Sequence, residues 1–156
     1  MKYFFSRKNF EVAIGRKTQS FEVACAKNNK IYMIYPQNKK QKNDFYKIIT
    51  HEISHIYYSK IIPSGKPYWL NEGIAIYIAG QKIPKSKNKK GIRDYFDSFD
   101  EGIYSFAGKE VKKIGINKTI KIAKKFKNTD QSLKSFMKIC EKKKRVVCSY
   151  SFFNIN

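Results

Sequence analysis

The sequence predicts an α+β fold, a small N-terminal β-sheet followed by a helical part. Three observations carry that expectation. β-rich runs are confined to the first third of the chain. From residue 44 onward, apolar residues recur at spacings of three and four, the helical period. No repeat or linker divides the 156 residues, 42% of them hydrophobic, so a single domain over 1–156 with a modest core is expected.

The elements follow in order. EVAI (11–14) reads as a weak strand ending at Gly15. FEVACA (21–26) and KIYMIY (30–35) read as strands separated by the turn-like KNN, and PQNKKQKN (36–43) reads as a loop. Asp44 is placed to cap a helix whose apolar positions are Phe45, Ile48, Ile49, Ile53 and Ile56. That helix should stop near Ile62, because Pro63 and Gly65 follow. A second helix is expected from about Tyr68 to Ala79, ending at Gly80. QKIPKSKNKKG (81–91) is a basic loop punctuated by Pro and Gly. Three more helices are expected, the first over about 98–113 with Ile103, Phe106, Ala107, Val111 and Ile114 inward. The others cover about 118–127 and about 130–142, the latter with Leu133, Phe136, Met137 and Cys140 on one stripe. The end of the chain, about 143–156, reads as a C-terminal extension or a last strand.

Composition excludes several classes. No stretch comes near the roughly 18 apolar residues that cross a bilayer. MKYFFSRKNFEV lacks a signal-peptide core, so with Met1 as the start a cytoplasmic protein is expected. Cys25, Cys140 and Cys148 are odd in number and lack CxxC spacing, which argues against a disulfide framework. The net charge of +21 suits an anionic partner: nucleic acid, an acidic membrane surface or an acidic substrate. Only four of the 33 basic residues are Arg, however, and the lysines are spread along the whole chain. Both facts favour a compositional origin for the charge.

HEISH (51–55) is the segment that carries chemistry, and it holds both histidines of the chain. On a helix at about 100° per residue, His51 and His55 stand on successive turns of one face, with Glu52 at its edge. Two imidazoles so placed reach one tetrahedral Zn²⁺, and the intervening glutamate is positioned to take a proton from water that the metal polarises. Chance produces the pattern at this composition roughly once in two thousand sequences. The competing reading is a helix with two ordinary histidines, which would stand unpaired beside the apolar stripe at a cost in stability. With no third histidine in the chain, a third ligand must be a carboxylate or a cysteine. The next acidic residue downstream is Glu72, in YWLNEGIAIYIAG (68–80), and a helix–turn–helix hairpin can return it to the first helix. Gly73 beside it allows close helix approach. In the opposing reading, Glu72 is a surface residue in a helix's first turn, favoured by the helix dipole.

HEISH followed by WLNEGIA resembles the gluzincin metallopeptidases, in particular the aminopeptidase N type and the small peptidase MA-like domains. The resemblance is close over residues 51–75 and looser from KIYMIY to about residue 140. It implies a zincin-like fold, one Zn²⁺ held by His51, His55 and Glu72, and Glu52 as general base. It also implies that the strand at 30–35 is the active-site edge and pairs with a bound peptide. The spacing to Glu72 is shorter than in the large aminopeptidases, and their G-x-M-E-N segment, which anchors a free amino end, is absent. These departures favour cleavage within a peptide or protein chain, or a very restricted substrate. Thermolysin-like enzymes match less well, because their acidic residue four positions after the ligand glutamate is Ile76 here. With both histidines taken as ligands, the oxyanion donor must be Tyr, Lys, Arg or backbone. In the resembling family it is a tyrosine on a later helix. That makes Tyr104 the first choice, followed by Tyr95 and Tyr77, although any of them also fits as a packed aromatic. The alternative function is a non-catalytic, nucleic-acid- or anion-binding basic protein with a closed, structural metal site. Within the protease class, action on one dedicated protein partner is a further variant.

Overall fold

The chain enters through β1 (Lys2–Phe4), a strand too short to register in the sequence pattern. It then winds into helix α1 (Arg7–Ile14). The computed structural model describes residues 1–85, 95, 99–100 and 102–125. Ser6 caps α1 by accepting from the Asn9 N–H at 3.2 Å, and Gly15 closes it in the left-handed region at φ 75°. EVAI is therefore the last turn of a helix and not a strand. The caps and the burial of Phe10 and Ile14, four residues apart, outweigh four residues of β-like composition.

β2 (Ala24–Lys27) and β3 (Lys30–Ile34) form the predicted hairpin. Asn28 and Asn29 take φ of 51° and 57°, as a two-residue hairpin turn of the favoured twist requires. β1 joins β3 in parallel, so the sheet order is β1-β3-β2. This corrects the expected role of residues 30–35: β3 is the central strand, and β2 is the edge that faces the helices. The segment expected as a loop at 36–43 contains a short helix, α2 (Lys39–Asn43), because the Asn38 side chain accepts from Gln41 N–H and starts it.

Helix α3 (Phe45–Ile61) runs over the expected span, and the chain leaves it at Ile62. Asp44 stands at its N-terminus but makes no side-chain cap hydrogen bond, since its backbone also closes α2. The inward face differs from the apolar positions read in sequence. His51, Glu52, Ser54 and Tyr58 are buried, Ile53 is 39% exposed, and Phe45, Ile48, Ile49 and Ile56 are half-buried. α4 (Tyr68–Ile78) is buried over most of its length, and Gly80 turns the chain after it at φ 58°.

α5 (Gly102–Ile114) and α6 (Ile116–Lys125) complete the described elements, joined at Gly115 with φ 84°. Ile103, Ala107, Val111 and Ile114 point inward as expected. They join Tyr58, Ile62, Trp69, Leu70, Ile74 and Tyr95 in the core. The helix expected at 130–142, the 143–156 extension, Cys140, Cys148 and most of the 81–91 loop lie outside the described residues. Among the described residues the fold is thus mixed α+β, with a three-stranded sheet and six helices. None of those helices is long and apolar enough to cross a membrane.

α4 can lie close to α5 because of Gly73. A Cβ there would collide with Val111 Cγ2 and approach the Ala107 carbonyl oxygen to 2.7 Å. The close approach that Gly73 permits is therefore to α5. Gly73→Ala is expected to cost about 1–3 kcal/mol of stability through overpacking. A lowered midpoint in urea unfolding with an unchanged slope is the expected observation.

Candidate metal centre

α3 sets His51 and His55 one turn apart, with their rings 4.6 Å between centroids and nearly perpendicular. α4 packs against α3 and delivers Glu72 from its second turn, as the helical hairpin requires. His51 Nε2 lies 3.2 Å from Glu72 Oε2, and His55 Nε2 lies 3.5 Å from Glu72 Oε1. Glu52 is buried beside them, and the donor atoms of His51, Glu52 and His55 all lie within 4.8 Å of one another. This group can hold a metal ion.

The other ring nitrogens are tied down by side chains that sequence reasoning did not single out. His55 Nδ1 lies 2.7 Å from Asn71 Oδ1, and His51 Nδ1 lies 2.9 Å from Gln81 Oε1. Asn71 Nδ2 donates to the Gly65 carbonyl, which leaves its Oδ1 facing the imidazole. An oxygen acceptor at each Nδ1 keeps the proton there and leaves the Nε2 lone pair directed at Glu72. Gln81 reaches back because the Gly80 turn closes α4, with Gln81 N–H bonded to the Ile76 carbonyl. The available signals were faint: an Asn directly before Glu72, and a Gln directly after a helix-ending Gly.

Glu72 Oε2 is buried and accepts no hydrogen bond despite its nearness to His51. Two imidazole Nε2 atoms and a carboxylate converge on one spot. That donor set fits a cation, which would take the place that a proton on His51 holds in the metal-free protein.

The charges divide the two glutamates. Burial raises the Glu72 pKa, but the charges of His55 and His51 outweigh it and hold the carboxyl below its usual range. Burial likewise pushes Glu52 up, and there it prevails over the pull of the imidazoles. For His51, burial acts downward, yet contact with Glu72 and the charges of Glu72 and Glu52 hold the imidazole above its ordinary value.

Around this centre opens a cleft of about 1210 Å³, with β2 along one wall. Tyr104, in the first turn of α5, lines it with its ring 6.3 Å from that of His51, held edge-on against Phe21 and Phe99. Burial raises its pKa far above the ordinary range, so the phenol remains a donor. Tyr95 is fully buried and donates to Asp100 at 3.1 Å, and Tyr77 is exposed; neither lines the cleft. Cys25 also lines the cleft, and burial pushes its thiol up, but no cysteine among the described residues joins the metal-holding group.

No family model, curated protein or solved structure matches the chain.

Asn71→Ala and Gln81→Ala should each weaken metal binding roughly 10- to 100-fold, measured by competition with a chromogenic chelator. Protons compete with metal for His51. Its raised pKa stabilises the metal-free protein below pH about 6.5, and that contribution is lost as the pH rises through the raised value. Metal affinity should therefore fall on acidification with a midpoint above about 6.5, and Glu72→Gln should move that midpoint down.

Proposed function

We propose that the protein is a zinc metallopeptidase of gluzincin type on a zincin-like scaffold, cleaving within peptide or protein chains. The observation that carries this reading is the convergence of His51 Nε2, His55 Nε2 and the buried Glu72 carboxylate beside buried Glu52. The 3.2 and 3.5 Å separations agree with the spacing of about 3.3 Å between ligands of a tetrahedral zinc with bonds of 2.0–2.1 Å. Three protein donors leave one position open, which favours catalysis over a closed structural site.

Zinc would supply Lewis acidity, polarising water and the scissile carbonyl. The remaining work falls to the chain. Glu52, with its pKa raised by burial, accepts a proton at its carboxylate and passes it to the leaving amine. Tyr104 offers its hydroxyl hydrogen to the oxygen on which negative charge develops. Asn71 and Gln81 fix the rings that hold the metal.

The substrate strand lies along β2 in this proposal, and the hairpin register supports that placement. Ile34 N–H bonds to the Val23 carbonyl, and Cys25 sits opposite Tyr32 two residues on. By alternation, the backbone groups of Ala24 and Ala26 face away from β3, toward the open edge. An extended peptide can pair there. Ala26 and Glu52 both line the cleft, so this edge runs beside the residue proposed as general base.

Metal analysis by mass spectrometry, with a peptide-library cleavage assay on the same samples, tests the reading. Wild type and Glu52→Gln should carry about one zinc per chain, and Glu72→Ala much less. Glu52→Gln should lose about 10²–10⁴ in kcat. Tyr104→Phe should lose about 10²–10³ with its zinc intact. Equal zinc in wild type and Glu72→Ala would remove Glu72 from the site, and no zinc in any sample would overturn the proposal.

A further inference from the structure

α3 has a second face that is largely exposed. At about 100° per residue, Tyr46, Ile49, Ile53 and Tyr57 fall within about 80° of one another, while His51 and His55 stand about 140° and 180° round from Tyr46. Tyr46 is 80% exposed, Tyr57 62% and Ile53 39%. At its N-terminal end the stripe runs into a chain of rings. Phe45 lies against Tyr46 and Tyr3, Tyr3 against Tyr35, and Tyr35 against Phe5, with centroids 5.3–6.3 Å apart. Phe5 is 78% exposed. A helix normally turns such a stripe to the core. In α3 the core side is taken by the histidines, Glu52 and Tyr58. A continuous exposed apolar face of this kind marks an interaction surface.

Lysines stand at both ends of it, and Asp44, at the N-terminus of α3, lies 3.9 Å from Lys47. Every Asp and Glu among the described residues is buried or half-buried, whereas Lys2 beside Tyr3 and Lys60 are exposed. Lys60 Nζ stands 5.2 Å from the centre of the Tyr57 ring. We propose that this face docks the protein on an anionic lipid surface, with Ile53, Tyr57 and Tyr46 seated among the headgroups and the lysines against lipid charge. Tyrosine rings with polar tips, aliphatic side chains and long-stemmed lysines make up an interfacial set. Single-stranded nucleic acid would use the rings but gain no stacking from Ile49 or Ile53, and only four of the 33 basic residues are Arg. A second copy would bring +21 against +21. Docking in this way leaves the His51–His55 side free, and the inference does not depend on metal or catalysis.

Sedimentation of the full chain with vesicles tests it. Phosphatidylcholine vesicles with about 30% phosphatidylserine should take up the protein at physiological salt, and phosphatidylcholine alone should not. Ile53→Asp with Tyr57→Ser should weaken uptake roughly tenfold or more, and Tyr46→Ser alone, at a highly exposed position, several-fold. Tyr46→Ser should keep its thermal midpoint and metal content, and the double variant should remain helical by circular dichroism at the assay temperature. No uptake, or equal uptake by wild type and both variants, would overturn the proposal, the latter because charge alone would then suffice. A wild-type dimer that Ile53→Asp splits, or binding to a single-stranded oligonucleotide that the same variants abolish, would also overturn it in favour of those occupants.

Discussion

Two imidazole Nε2 atoms and a carboxylate meet at one buried spot, and only a proton or a cation among them relieves their repulsion. Much of the described structure serves to hold that arrangement. Asn71 and Gln81 take the Nδ1 protons and thereby direct the Nε2 lone pairs inward. Glu72 reaches the spot only because α4 is buried along most of its length. α4 in turn can be buried so deeply because Gly73 lets α5 close over it. The core of Trp69, Leu70, Ile103 and Ala107 is thus also the support of the polar centre.

The same burial acts differently on the two glutamates. Glu72 sits against both imidazoles, and their charges hold it ionised despite the loss of water. Glu52 is equally hidden but less well compensated, so its proton affinity rises. Environments that push two carboxyl groups in opposite directions allow one to serve as a permanent anion and the other to exchange a proton.

Placing this polar face inward has a consequence for the rest of α3. A helix of 17 residues cannot turn both its histidines and all its isoleucines toward the core. Ile53 and Tyr57 are left at the surface. The inward face that bears His51, Glu52 and His55 and the apolar outer face are two results of one rotation of the helix about its axis.

Features internal to one element were legible in the sequence. The helical period alone sets His51, Glu52 and His55 on one side of α3, and Pro63, Gly65 and Gly80 mark where α3 and α4 stop. The paired asparagines mark the β2–β3 turn, since few residue types adopt its backbone. What depends on distant contacts was not legible. A three-residue β1 is stable only through its pairing with β3, and that pairing places β3 in the middle of the sheet and makes β2 the edge over the site. EVAI followed its caps and its packing rather than its β-like composition. The rotation of α3 could not be read from its apolar residues, because the contacts that hold Glu52 and the histidines inward come from α4, β2 and Gln81, each far along the chain. Local sequence determines which residues share a helix face, while long-range packing and the electrostatics of buried groups decide which face turns inward.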